Sequence, residues 1–181
     1  MTNINRIIVY KSQTGFTEKY AHWIAEDLHC DIVSLEKFNF SKTSPYDVVI
    51  FGGGIHAGTI NGIRYFNNIS SMKSKKIIVF ATGATPAIPE EIERFRKANI
   101  PSGEDIAFFY FQSGMNYAKM RGTDKMMMGM LKAFLKLKKN KSDVEKGAAD
   151  AIRDSYDCSD RNQILPLVNH VNAIAPTDSA R

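Results

Sequence analysis

Short apolar runs rich in Ile, Val and Phe alternate along the chain with segments whose apolar positions recur every three to four residues. Residues 7–10 (Ile-Ile-Val-Tyr) predict a first strand. Residues 17–28 predict a helix with Tyr20, Ala21, Ile24, Ala25 and Leu28 on one face. A second strand is expected over 31–35. The run 47–52 (Asp-Val-Val-Ile-Phe-Gly) predicts a third, and its unbroken apolar character suits a parallel strand covered on both faces. A short helix over 62–68 follows, then a strand over 76–81. Residues 89–98 open with Pro and two Glu, as helix starts favour, and predict the next helix. A fifth strand is expected over 106–111 and a last helix near 143–154.

Strands alternating with helices in this way predict an α/β fold built on a doubly wound, five-stranded parallel sheet. Right-handed crossovers give an expected strand order of 2-1-3-4-5. Such sheets bind ligands beyond the carboxyl ends of their strands, near the point where the strand order reverses. Three loops of small residues, 12–17, 52–58 and 82–87, directly follow strands one, three and four. The chain shows no internal repeat and no low-complexity linker. It reads as one domain over 1–175, with an insertion at 112–141 and a tail over 176–181.

The first of these loops has the most specific chemistry. Lys11-Ser-Gln-Thr-Gly-Phe-Thr17 leads from the first strand into the first helix. Unpaired backbone N–H groups, the helix dipole and three hydroxyl side chains together suit a phosphate. No lysine follows the glycine as in GxxxxGK[ST], and the GxGxxG dinucleotide turn is absent. A site of hydroxyls and amides, without an obligatory cation, suits a single monoester phosphate.

Residues 8–24 resemble the flavodoxin signature at Ile8, Val9, Tyr10, Ser12, Gly15, Thr17, Ala21 and Ile24. The resemblance to the flavodoxin superfamily extends over about 7–111 and implies a flavodoxin-like fold that binds FMN non-covalently. It implies that Ser12, Thr14, Gly15 and Thr17 hold the phosphate, helped by backbone amides of Gln13 and Phe16. It places Gly53, Gly54, Ile55, His56, Ala57 and Gly58 beside the isoalloxazine ring, with glycine allowing close backbone approach. Thr82, Gly83, Ala84 and Thr85 would close over the pyrimidine edge. Flavodoxins often sandwich the ring between aromatics of the second and third loops, and this chain has none there. The ring then lies more open, or is covered by Phe16, Met115, Tyr117 or another residue after strand five.

His56 has two readings, a donor that stabilises negative charge on the reduced flavin or a solvated loop histidine. His22, His29 and His170 read as structural, and no histidine pair has metal-ligand spacing. Residues 46–58 further resemble the matching strand and loop of menaquinone-dependent protoporphyrinogen oxidases, with His56 where that branch carries an arginine. The insertion after strand five is also similar to that branch.

The chain carries a net charge of +5, unevenly spread. Residues 119–141 hold eight Lys/Arg and one acid, so that segment carries +7 and the remainder sums to about −2. The charge is therefore a local surface feature and not an affinity for nucleic acid. Over 124–140, Lys125, Lys132, Lys136 and Lys139 share one helical face, and Met127, Met128, Met130, Leu131, Phe134 and Leu135 the other. Such a helix fits an anionic membrane, an acidic partner, or packing on the domain with its lysines solvated. Simple flavodoxins are generally acidic, which sets this chain apart from a plain carrier.

Cys30 and Cys158 lie far apart, outside any CxxC spacing, and fit a reducing cytoplasm. A strand begins almost at once, leaving no room for a signal peptide, and no apolar run approaches a membrane span. The expectation is a cytoplasmic FMN-dependent oxidoreductase, peripheral at the inner membrane face if 124–140 binds lipid. A porphyrinogen or a quinone would be its substrate or redox partner. A simple electron carrier and a flavin-independent binding module are the alternatives.

Overall fold

A computed structural model describes residues 4–39, 45–67, 75–120 and 155–174, with positions 122, 125–126 and 129–130. The expected amphipathic helix over 124–140 lies largely, and the helix near 143–154 and the tail lie wholly or almost wholly, outside these described residues.

Five parallel strands form the sheet: β1 (Arg6–Lys11), β2 (Asp31–Ser34), β3 (Val48–His56), β5 (Lys76–Gly83) and β6 (Ala107–Gln112). Their order is β2-β1-β3-β5-β6, the expected doubly wound topology with its switch point between β1 and β3. A short strand, β4 (Thr59–Ile60), pairs antiparallel with the far end of β3. The sheet carries α1 (Phe16–Leu28) on one face and α2 (Ile63–Asn67) and α3 (Pro89–Asn99) on the other.

The period-2 alternation of the strands divides the core. Ile8, Ile50, Ile78 and Phe80 pack under α1, where Tyr20, Ala21, Ile24, Ala25 and Leu28 are buried as the helical spacing predicts. Ile7, Val9, Val49, Phe51, Val79 and Ala81 face Ile63, Phe95 and Ile100. Because β3 is central, Val48, Val49, Ile50 and Phe51 are buried whichever way they point.

A helix absent from the sequence expectation completes the first layer. A 3-10 turn (Arg161–Ile164) leads into α4 (Leu165–Asn172), whose Leu167, Val168 and Val171 join Ile164 against the α1 face. Tyr20 ties this segment down: its hydroxyl donates to Gln112 O (2.6 Å) and accepts from Asp160 N (3.2 Å).

Two expected loops begin as strand. β3 continues four residues past Gly52, and β5 runs through Gly83, because ladder partners exist as far as Gly54–Thr82 and Gly83–Gln112. Beyond β6 the chain forms a two-stranded ribbon, β7 (Gly114–Met115), at the start of the insertion, against β8 (Tyr156–Asp157). Lys19 of α1 holds β8 through Asp157 at 2.8 Å.

Candidate functional site

A cleft of about 240 Å³ opens at the carboxyl ends of β1, β3, β5 and β6. Gln13, Thr14, Phe16 and Thr17 line it from the first loop; Gly54, Ile55, His56 and Ala57 from the end of β3; and Thr82, Gly83 and Ala84 from the end of β5. The topology thus brings together the three segments singled out in the sequence.

The first loop is shaped by Gly15, whose φ of 96° lies in the left-handed region that favours glycine. It allows the tight turn into α1, where Gly15 O accepts from Lys19 N at 3.0 Å. Ser12 does not line the cleft; its Oγ accepts from Gly15 N at 3.2 Å and braces the turn. No side chain caps α1, so its first-turn N–H groups meet no side-chain acceptor. Thr17, 3% exposed, bonds its Oγ1 to Thr82 Oγ1 at 2.8 Å. This joins the first loop to β5 on the cleft floor. One of the two hydroxyl protons closes the bond, and the other remains for a second acceptor.

The glycines of 52–54 serve different ends from those expected. A methyl group on Gly52 would lie 2.0 Å from the Phe80 ring, and one on Gly53 would lie 2.5 Å from Ile60 Cγ2. Both glycines make room for core packing, and Gly53 does not line the cleft. Only Gly54 keeps the space above the hydroxyl pair clear: a methyl there would lie 3.4 Å from Thr17 Oγ1.

What reads as a loop over 52–58 is the end of a strand and a two-residue hairpin. Ala57 (φ 48°) and Gly58 (φ 82°) make the turn, with both central φ values positive as the twist of paired strands favours. Gly58 is therefore a turn residue outside the cleft lining, while His56 and Ala57 are exposed at its mouth.

Asn99 of α3, 7% exposed, staples this hairpin to the domain. Its Oδ1 accepts from Ile60 N at 2.8 Å, and its Nδ2 donates to Gly58 O at 2.9 Å and Phe95 O at 2.8 Å. Nothing local in the sequence marks this role.

Tyr110 of β6 supports the third loop from below. Its hydroxyl donates to Thr85 O at 2.7 Å, which fixes Thr85 beneath the loop and out of the cleft lining. Burial pushes the Tyr110 phenol well above its ordinary pKa, outweighing the opposing effect of its contact with Thr85.

Asn61, Ser113, Gly114, Met115, Asn116 and Met120 complete the lining. Of these, only Met115 was singled out in the sequence. The others follow the hairpin or the fifth strand, and that position was their sole signal. Tyr117, the other candidate cover there, lies outside the lining. Among the described residues the lining contains no Lys, Arg, Asp or Glu, and His56 is its one histidine. Dipoles and hydroxyls therefore dominate the lining itself.

A family model described as "Flavodoxin domain" matches residues 7–143. Over 82 residues the chain is 35% identical to an uncharacterised protein of Methanocaldococcus jannaschii, covering 44% of this chain and 55% of that protein. The chain thus spans about half the length of the curated relative it matches. Among solved structures, a flavoprotein of Bacteroides uniformis is similar at 17% identity and TM-score 0.47, over 71% of this chain and 99% of that one. A flavodoxin from the Archaea is similar at 13% identity and TM-score 0.41, over 83% and 100%. A flavoprotein of Lactobacillus acidophilus, solved in complex with FMN, is similar at 14% identity and TM-score 0.39, over 61% and 93%.

Proposed function

Since the chain belongs to the flavodoxin domain family, we propose that it binds FMN non-covalently in this cleft and works as a redox protein. The observation that carries this reading is the convergence of the hydroxyl-rich turn, the end of β3 and the end of β5 on one cleft whose lining bears no fixed charge.

The residues fit the group. Uncapped N–H groups of α1, Thr14 and the Thr17–Thr82 pair would hold the phosphate through donors and the helix dipole. The open space above Gly54 lets backbone and ligand approach closely. Phe16, Ile55, Met115 and Met120 offer apolar cover in place of paired aromatics, and His56 offers a donor at the mouth. FMN supplies the electron chemistry when bound; the protein orients it, excludes water and tunes it by hydrogen bonds.

The finer reading is an oxidoreductase resembling protoporphyrinogen dehydrogenase, which takes hydrogen from a porphyrinogen and delivers electrons and protons to a quinone. The similarity of 46–58 and of the basic insertion to that branch supports it. A cytoplasmic protein touching the inner membrane face through 124–140 would reach such a lipid-soluble acceptor. Among the described residues, no helix is long and apolar enough to cross a membrane.

Titration of the purified chain with FMN tests the first reading by the visible spectrum and by melting temperature. No bound-flavin spectrum and no rise in melting temperature would overturn it and leave a flavin-independent binding module. Oxidation of protoporphyrinogen coupled to a menaquinone analogue tests the second. A rate no better than free FMN would leave a simple electron carrier.

A further inference from the structure

The residues of the 12–17 turn suit a phosphate without requiring a cation. The structure adds one from the far side of the chain. Lys119 ends the 3-10 turn (Tyr117–Lys119) that opens the insertion, and a methyl group built on Gly15 would lie 3.4 Å from its Nζ. The ammonium therefore rests against the backbone of the turn, at the positive end of the α1 dipole.

The backbone that carries this side chain is anchored. Asn116 caps the 3-10 turn by accepting from Lys119 N at 3.3 Å, and Tyr117 N donates to Ser155 Oγ at 3.0 Å across the base of the insertion. Asn116 and Met120, on either side of Lys119, both line the cleft.

It is also uncompensated. Two other lysines stand near the turn, and each meets an acid: Lys11 with Glu36 at 3.7 Å, and Lys19 with Asp157 at 2.8 Å. Glu18, the acid in the first turn of α1, is engaged by the Tyr10 hydroxyl at 3.0 Å. The Lys119 ammonium has no carboxylate partner among the described residues. Lys119 is exposed, so water screens its repulsion from the helix N-terminus, and an anion bound between the two would be attracted by both.

We propose that Lys119 is the cationic arm of the phosphate site, carried in by the insertion to neutralise a phosphomonoester dianion held on the 12–17 turn. The inference rests on the FMN reading above and deepens it. Lys119 makes the site discriminate the phosphorylated flavin from riboflavin, and it couples the root of the insertion to cofactor occupancy.

The test compares FMN and riboflavin binding by flavin fluorescence in wild type, Lys119→Gln and Lys119→Arg at several salt concentrations. Lys119→Gln should weaken FMN about tenfold and flatten its salt dependence. Riboflavin should stay within about twofold of wild type, and Lys119→Arg should restore most FMN affinity. Unchanged FMN affinity in Lys119→Gln, or equal losses for both flavins, would overturn the proposal. If wild type binds neither flavin, the FMN reading falls, and inorganic phosphate decides alone. Phosphate that raises the melting temperature of wild type but not of Lys119→Gln, at matched ionic strength, supports the arm; equal responses overturn it.

Discussion

Replacing Asn99 with Leu keeps the branching of the side chain but removes every polar atom that staples the hairpin. Among its contacts are three side-chain hydrogen bonds, all lost. The one to Phe95 O stays within α3, one turn back, and mainly orients the side chain. The other two cross to the hairpin. Ile60 N–H points away from β3, because Ile60 sits opposite Ile55 while the neighbouring Asn61 N bonds Gly54 O at 2.9 Å. With Ile60 only 1% exposed, its donor has no water to turn to. An orphaned buried donor costs about 1–3 kcal/mol, and the partly buried Gly58 O adds about 1 kcal/mol. The sum, about 2–4 kcal/mol, is a large share of the stability of an ordinary domain. For a chain of this length it lowers the melting temperature by about 5–12 °C. Urea unfolding of the ligand-free protein measures the loss, and amide exchange at Ile60 shows where it falls. Exchange there should quicken far more than at Ile50, in the centre of β3. An unfolding free energy within about 0.5 kcal/mol of wild type, with Ile60 exchange unchanged, would refute the staple.

Thr17→Val and Thr82→Val each leave one buried hydroxyl unpaired and should each destabilise by about 1–3 kcal/mol, whereas the double variant should lose less than the sum; additive losses in urea unfolding would count against the bond on the cleft floor. The Asp157 carboxyl is partly buried, which alone would raise its pKa, but bonds from Lys19 and Ser159 outweigh this and hold it below the ordinary value. A depressed folded pKa gives stability that is present above the unfolded value and lost as pH falls through the folded one. Wild type and Asp157→Asn should therefore differ at neutral pH by at most about 1 kcal/mol, since the pair is half exposed, and converge below about pH 4; a difference that persists in acid would contradict this. Burial pushes the Cys30 thiol up to about 11, while Cys158 is exposed. Alkylation at pH 8 should thus label Cys158 in a fast phase and Cys30 only slowly, with Cys158→Ser abolishing the fast phase.

Local patterns alone determined the strands and the buried face of α1. β-branched apolar runs and a 3.6-residue period are properties of neighbours in sequence, and the hydrophobic effect acts on them in any compact fold. The hydroxyl-rich turn was legible for the same reason: its chemistry lies within six consecutive residues at a helix start. The extra length of β3 was hidden, because Gly52, Gly53 and Gly54 read as a loop. Their strand state depends on partners in β5, on a Phe80 ring that fills the space a side chain at Gly52 would need, and on Ile60, which does the same at Gly53.

What tertiary structure decided joins residues far apart in the chain. Asn99 reaches Ile60 across 39 positions, and Thr17 reaches Thr82 across 65. Lys119 belongs in sequence to a cationic segment suited to a membrane or a partner, yet its ammonium returns to Gly15. No periodicity encodes such contacts. They follow from the order in which the sheet stacks its strands, which gathers four strand ends and the root of the insertion around one cleft.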